Sequence, residues 1–410
     1  PTEVGVQRTS EILGEAIMDS VSSVRDSLPE QHREHFKTLR QEIIDFAQAH
    51  GIPRESLNKP DALREAASKL STPDLQRLAT LLERFEYLLV HHELMKEEID
   101  PAKALEYAEE HYHLKEQYDF QVNLLGEVGI LKEGAILGID GNKYPIPTLE
   151  QIAIRLFERR EDLKTKHDQG FTKLLLVPFG MSLYSLREIL KQFLLGHKST
   201  HKRCRPNENE PLWAAREYQG ADTGDSPRLV YHPKFFDKDA HQGETKAQIL
   251  AKHADDQDPF AGWTVHLFQP SNPKDQDSLG FAHIPGNRQG AEYGNEIPRK
   301  DIETSKVSEK YLSALQEAQS DPSSPYHLES GMTPEDWIMA FIIHLTETGR
   351  PLDDWQADTE NASSLIGAFF SSDVKVPRVY WDYDRHQINF GFNGPTVLAT
   401  YMGARYSVIV

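Results

Sequence analysis

Apolar residues in the first third of the chain recur at alternating three- and four-residue steps, the spacing of one face of a helix. Leu75, Leu78, Leu82, Phe85 and Leu89 draw the clearest stripe. It follows Thr72-Pro73-Asp74, which reads as an N-cap, a first-turn proline and an acidic first turn. Asp100-Pro101 opens another helix in the same way, carrying Leu105, Ala108, Tyr112 and Leu114. Helical spacing also runs through 12–28 and 32–50, and Gly51-Ile52-Pro53 stops the second of these. Helices with such short connections predict an antiparallel bundle. The stripe is only two heptads long, which favours packing within the chain; an oligomer seam through the N-terminal helices is the alternative.

Beyond residue 125 the pattern changes. Strand-like runs around an Asp140-Gly141 turn predict a hairpin, and Thr148-Leu149-Glu150-Gln151 is a capping box for a helix through Ile152, Leu156 and Leu163. Phe171–Gly180 reads as a buried strand and Ser182–Leu195 as an amphipathic helix. From Lys198 to about Asp258 the chain is polar and weakly periodic, which predicts long loops on a scaffold. A strand is expected over Gly262–Gln269, loop over Ser271–Lys300 and a helix over Lys306–Gln319. Thr333-Pro334-Glu335-Asp336 caps a further helix through Trp337, Phe341 and Leu345, ended by Gly349 with Pro351 beyond. The fold class expected is α+β: a helical bundle over 1–125, a connecting hairpin and helix over 126–170, and a domain with long irregular loops over 171–410.

The last 35 residues are the most informative. Strand-like runs Pro377–Asp382 and Gln387–Asn393 flank the polar turn Tyr383–His386. A loop follows, and then an apolar run, Tyr406–Val410, expected to lie within a sheet and to hold hairpin and loop rigid. Period-two alternation puts Ile388, Phe390 and Phe392 on a core face with Val379 and Trp381. The outward set is then Tyr380, Asp382, Asn389, Gly391 and Asn393, with Tyr383, Arg385 and His386 in the turn. Thr396, Leu398, Thr400 and Tyr401 extend it along the loop. Tyrosine, arginine and asparagine suit a binding surface, because tyrosine offers large area at low entropic cost and asparagine adaptable hydrogen bonds. An ordinary solvated edge hairpin is the plainer reading. Arg405 reads as a fastener that pairs with a carboxylate such as Asp353 or Asp354, or with loop carbonyls, rather than as a ligand contact.

Composition narrows the classes. With 45 Lys and Arg against 64 Asp and Glu, the formal charge of −19 argues against binding a nucleic-acid backbone. The basic run His197–Arg205 is local and loop-like. A single cysteine, Cys204, rules out an intrachain disulfide and a thiolate metal site. No apolar run approaches the ~20 residues of a membrane span. Residues 1–9 lack the apolar core of a signal peptide, so the default compartment is the cytoplasm, with surface display left open.

The capped Thr-Pro-Glu-Asp-Trp helix, the long irregular middle and the ending resemble the C-type-lectin-like fold. The ending is similar to the variable proteins of diversity-generating retroelements, through Val376-Pro-Arg-Val-Tyr-Trp-Asp382, His386-Gln-Ile-Asn-Phe-Gly-Phe392 and Gly403-Ala-Arg405. The resemblance covers roughly 145–410, most closely the last 80 residues, and implies a diversified C-terminal segment, 376–405, that binds varied protein ligands. Diversification in that family works through adenine-rich codons. Asn389, Asn393, Tyr380, Tyr383, Thr396, Thr400 and Tyr401 are residue types such codons reach.

The function expected is therefore ligand binding without catalysis, the ligand a protein. The alternatives are an enzyme of the formylglycine-generating type, which shares the fold, and an assembly protein using its helices. Formylglycine-generating oxidases use paired cysteines, which one Cys cannot supply. Asn207–Pro211 and Asp255–Asp258 are the candidates for a structural Ca²⁺, but neither has a ligand pattern. His91-His92-Glu93 and His111-Tyr112-His113 lack metal spacing, no phosphate-binding loop is present, and no Ser-His-Asp set is readable. No catalytic residue, metal ligand or cofactor is expected.

Overall fold

The computed structural model describes residues 16–17, 28, 32–53, 56–57, 60–91, 99–197, 205–256, 258–284, 302, 305–355 and 361–410. Most of the expected helix over 12–28, Cys204, and His92 with Glu93 lie outside them. Two compact units divide after residue 98.

The N-terminal unit contains helices α1 (Arg33–Ala49), α2 (Pro60–Ala67) and α3 (Thr72–His91). Phe36, Leu39, Ile43 and Phe46 of α1 share a core with Leu78, Leu81, Phe85 and Leu88 of α3, and the Phe36 and Phe85 rings pack at a tilt of 30° with centroids 5.2 Å apart. The stripe is spent largely on this core; only its first residue, Leu75, is exposed. The cap of α3 is one residue earlier than the sequence suggests, since the Asp74 N–H points at Ser71 Oγ.

The second unit opens with α4 (Pro101–Tyr112) and α5 (Leu114–Glu127), which the sequence reading counted with the bundle. They belong here because α4 packs on α6 and α5 on strand β3. The hairpin β1–β2 (Ala135–Leu137, Lys143–Pro145) follows, then α6 (Leu149–Glu158), α7 (Arg160–Asp168), β3 (Lys173–Val177) and α8 (Leu183–Gly196). The Thr148–Gln151 capping box is present in full. The supposed loop region holds β4 (Leu212–Ala214), β5 (Leu229–Tyr231) and helix α9 (Lys246–Asp255). That helix was legible, because Thr245 and Gln248 form a second capping box. Then come β6 (Thr264–Phe268), α10 (Ser308–Gln319), β7 (Glu329–Gly331) and α11 (Pro334–Thr348). Short strands β8 (Asp354–Trp355), β9 (Ala362–Ser364) and β10 (Ala368–Phe370) lead to β11 (Val376–Asp382) and β12 (Gln387–Asn393). The chain closes on β13 (Met402–Gly403) and β14 (Tyr406–Ile409). The architecture is mixed α+β.

Two sheets frame the unit. One is antiparallel, in the order β3-β6-β14-β7; the other runs β13-β9-β11-β12-β4, with β8 beside β11. The last strand thus lies inside a sheet, but not in the sheet of the hairpin. Helix α11 links the two. It is apolar almost all round, as a helix buried on every side must be. It packs on β3 and α8, while Trp337 and Phe341 meet Phe390 and Trp381 of the hairpin. Thr333 and Asp336 cap its start, and Gly349, in the left-handed conformation at φ 68°, ends it.

The free edge of β3 is closed by a helix. Gln117 of α5 donates to the Thr172 carbonyl (3.1 Å) and accepts from the Leu174 N–H (2.8 Å). Gln121 repeats the pattern with the Leu174 carbonyl (2.7 Å) and the Leu176 N–H (2.8 Å). Gln121→Leu orphans two buried backbone groups at once, and we expect it to cost about 2–3 kcal/mol in urea unfolding. A loss within experimental error would mean that water replaces the amide.

Candidate ligand-binding face

On β11, Val379 and Trp381 stand opposite Phe390 and Ile388 of β12, and all four are buried in the main apolar core. Arg378–Gly391, Tyr380–Asn389 and Asp382–Gln387 pair on the other side. The sides divide as the alternation predicts, except that Phe392 is only partly buried, with the Lys375 ammonium 3.7 Å from its ring centroid.

Exposure does not follow the sides. Tyr380, Asp382, Asn389 and Gly391 are buried, where outward, solvated positions were expected. The cause is lateral cover. β4 sets Trp213 beside Asn389, and β13 sets Met402 beside Ala362. Tyr380, Ala362 and Met402 form a small apolar cluster against which Ala399 and Tyr401 pack. A row Met402–Ala362–Tyr380–Asn389–Trp213 therefore crosses the sheet, and Trp213, 38% exposed, is its open rim.

Two exposed sets flank that row. The first is the turn. Asp382 Oδ1 accepts the Arg385 N–H at 3.1 Å, a local bond that fixes the turn while leaving the Arg385 side chain exposed. Tyr383 is exposed, with its ring 5.9 Å from that of His386. His386 adopts a left-handed φ of 53°, and its carbonyl accepts the Asn207 N–H at 2.7 Å. That bond helps form an open groove of about 840 Å³, lined among others by Asn207, Glu208, Trp213, Asp384, Arg385 and His386. The second set is the loop, where Thr396, Leu398 and Thr400 are exposed and Asn393 and Tyr401 half-buried. Its backbone is tied down: the Glu309 N–H donates to the Pro395 carbonyl (3.1 Å) and Ser305 Oγ to the Thr400 carbonyl (3.0 Å). Asn393 Nδ2 lies 2.6 Å from Met402 Sδ. Turn and loop start at opposite ends of β12, roughly 20 Å apart for a seven-residue strand, so they form two patches rather than one pocket.

Between the patches Gly391 is closely packed. A Cβ there would sit 2.9 Å from Arg378 Nη2 and 3.3 Å from Asn389 Oδ1, so a side chain would crowd both. Arg378 Nε and Asn389 Oδ1 are buried and have no hydrogen-bond partner among the described residues. Buried polar atoms are rarely left so.

Trp381 and Arg405 do not face this surface. Trp381 is wholly buried, and its backbone N–H donates to the Asp353 carbonyl at 3.0 Å. Arg405 grips Asp353 with a two-pronged fork: Nη2 to Oδ1 at 2.6 Å, and Nε to Oδ1 and Oδ2 at 3.0 and 3.1 Å. Its Nη1 donates to the Ala282 carbonyl. Asp353 also accepts from Trp337 Nε1 at 2.8 Å. One residue, through its carboxylate and its backbone carbonyl, thus joins α11, β11 and the approach to β14.

Sequence reasoning missed the buried charges. Lys246 Nζ donates to Asp222 Oδ2 (2.7 Å), Glu335 Oε1 (2.8 Å) and the Met181 carbonyl (2.6 Å), and Tyr231 donates to the same Glu335 oxygen at 2.7 Å. Burial alone would depress the lysine; Glu335 and Asp222 more than offset that and hold it above the ordinary range. Burial likewise pushes Glu335 up, only partly countered by Lys246. A Ser-His-Asp chain also exists, with His266 Nδ1 3.0 Å from Ser407 Oγ and Nε2 3.2 Å from Asp336 Oδ1. All three side chains are sealed from solvent, so no substrate reaches Ser407.

Among the described residues no cluster of His, Cys, Asp and Glu is arranged to hold a metal ion, and no helix is long and apolar enough to cross a membrane. The fold and this face define a mixed α+β protein with a braced hairpin bearing two exposed patches. Compared with protein-family models, curated proteins and solved structures, the chain matches none.

Proposed function

We propose that this protein binds protein ligands without catalysis, through the β11–β12 turn and the 394–401 loop, on a scaffold of the C-type-lectin-like kind. The observation that carries the reading is the separation of frame from surface. Tyr383, Arg385, Thr396, Leu398 and Thr400 are exposed on a backbone tied at Asp382, His386, Pro395 and Thr400. Side chains on a fixed backbone bind with less ordering cost, and exchanging them changes the partner without changing the frame. Trp213 at the groove rim supplies a large aromatic contact that sequence reasoning did not include. Tyr380, Asp382 and Asn389 support the frame from beneath. The variable proteins of diversity-generating retroelements remain the family this ending resembles.

A display library randomised at Tyr383, Arg385, His386, Thr396, Leu398 and Thr400, selected against a panel of unrelated proteins, tests the proposal. Clones with different specificities and melting temperatures close to the parent are expected. General loss of folding in the library would overturn it. The diversification part has its own test: a second copy of the coding segment for 376–405, differing opposite adenines, beside a reverse-transcriptase gene.

A further inference from the structure

A separate cleft of about 410 Å³ lies between the 271–283 loop, the last turns of α11 and the 350–354 turn, and shares no lining residue with the hairpin groove. Its volume falls in the range of small-molecule sites. Leu279, Phe281, Pro351 and Leu352 form apolar walls. The polar groups are unusual in what they have left to offer.

Two lining carboxylates are already engaged. Glu347 accepts the Gly280 N–H at 2.6 Å and the Lys173 ammonium at 3.0 Å, and Asp353 holds Arg405 and Trp337. The donors are not exhausted. Arg405 has five N–H groups, and its bonds to Asp353 and Ala282 engage three, leaving two unspent among the described residues. His344 Nδ1 accepts the Phe281 N–H at 3.0 Å, which places the proton of a neutral imidazole on Nε2. The imidazole is neutral: burial of the ring, then the neighbouring basic groups Arg405, His283, Lys173 and Arg350, hold it well below the usual histidine range. Formal charge does not choose the ligand, since Arg405, Arg350 and Lys173 balance Glu347, Asp353 and Asp354. Unspent hydrogen-bond donors do.

We propose that this cleft is a second binding site, for a small carboxylate with a compact apolar body. The carboxylate accepts from Arg405 and from His344 Nε2–H, and the body lies against Phe281 and Leu352. Occupation sets a negative charge beside the Arg405, Lys173 and Arg350 cations that help to depress His344, so the bound anion raises the imidazole pKa. By linkage, binding tightens as pH falls toward that titration.

The test is titration of the full chain with benzoate and, separately, benzamide, following the His344 ring by NMR. Saturable benzoate binding is expected, with benzamide weaker by about tenfold or more, because the bonds to the anion are charge-assisted. The His344 pKa rises at benzoate saturation. Leu279→Glu, at a wall position 58% exposed, adds a like charge without disturbing the fold. It should weaken benzoate by about tenfold relative to benzamide, with the melting temperature nearly unchanged. Equal affinity for acid and amide, an unmoved His344 pKa, or no saturable binding of benzoate would each overturn the proposal.

Discussion

Lys246→Met is expected to destabilise the protein by about 3–5 kcal/mol, the cost of stranding buried charge by removing its partner. Asp222 and Glu335 would remain at 2% and 0% exposure with no cation between them. The loss should depend on pH in a definite sense. Without the ammonium, burial drives the Glu335 carboxyl still further above its unfolded value. The folded state then binds more protons than the unfolded one, and stability falls as pH rises through the raised value. Urea unfolding at pH 5 and pH 8 should therefore show the larger deficit at pH 8. Adding Asp222→Asn and Glu335→Gln to Lys246→Met should recover much of the loss, since neutral amides need no counter-charge. A deficit below about 1 kcal/mol, or one equal at both pH values, would mean that the node is hydrated rather than sealed.

The second large effect is expected from Asp353→Asn. The substitution keeps the side chain's shape and removes the charge that Arg405, 6% exposed, grips with its fork. A loss of about 3 kcal/mol is expected, because the guanidinium stays buried with only the Ala282 carbonyl and a weaker amide for company. The carbonyl of residue 353 also receives the Trp381 N–H, so loosening there should be visible locally. Hydrogen exchange at Trp381 should accelerate more than at Leu176, whose N–H is held by Gln121 in the other sheet. Unchanged protection at Trp381 would show that the hairpin is braced from elsewhere.

What was legible in the sequence was what local rules determine. Thr148 with Gln151 and Thr333 with Asp336 announce their helices three residues apart, and both caps form. The two sides of the hairpin follow from period two alone. Cover does not, because Trp213 and Met402 reach the Tyr380–Asn389 row from strands remote in sequence or joined across the loop. The same holds for charge. Lys166 and Glu329, 163 residues apart, meet at 2.8 Å in the interior, and nothing near either residue in the chain foretells it. Of the two carboxylates named for Arg405, Asp353 takes the fork. Asp353 can do so because it tolerates the left-handed backbone, φ 54°, that turns its carboxylate inward. The division after residue 98 was illegible for a different reason. Helical periodicity reports that α4 and α5 are amphipathic, not which core receives their apolar faces.

The two glutamines on α5 act as a ruler for β3. Four residues along a helix advance about 6.0 Å. Two residues along a strand advance about 6.6 Å. The two repeats are nearly commensurate over this short span, so side chains at 117 and 121 can read successive peptide units of the strand as a neighbouring strand would. A slip of β3 by one residue would forfeit all four bonds together. The phase of the four-stranded sheet is thereby set by a partner outside it, and an approaching foreign strand finds that edge already taken.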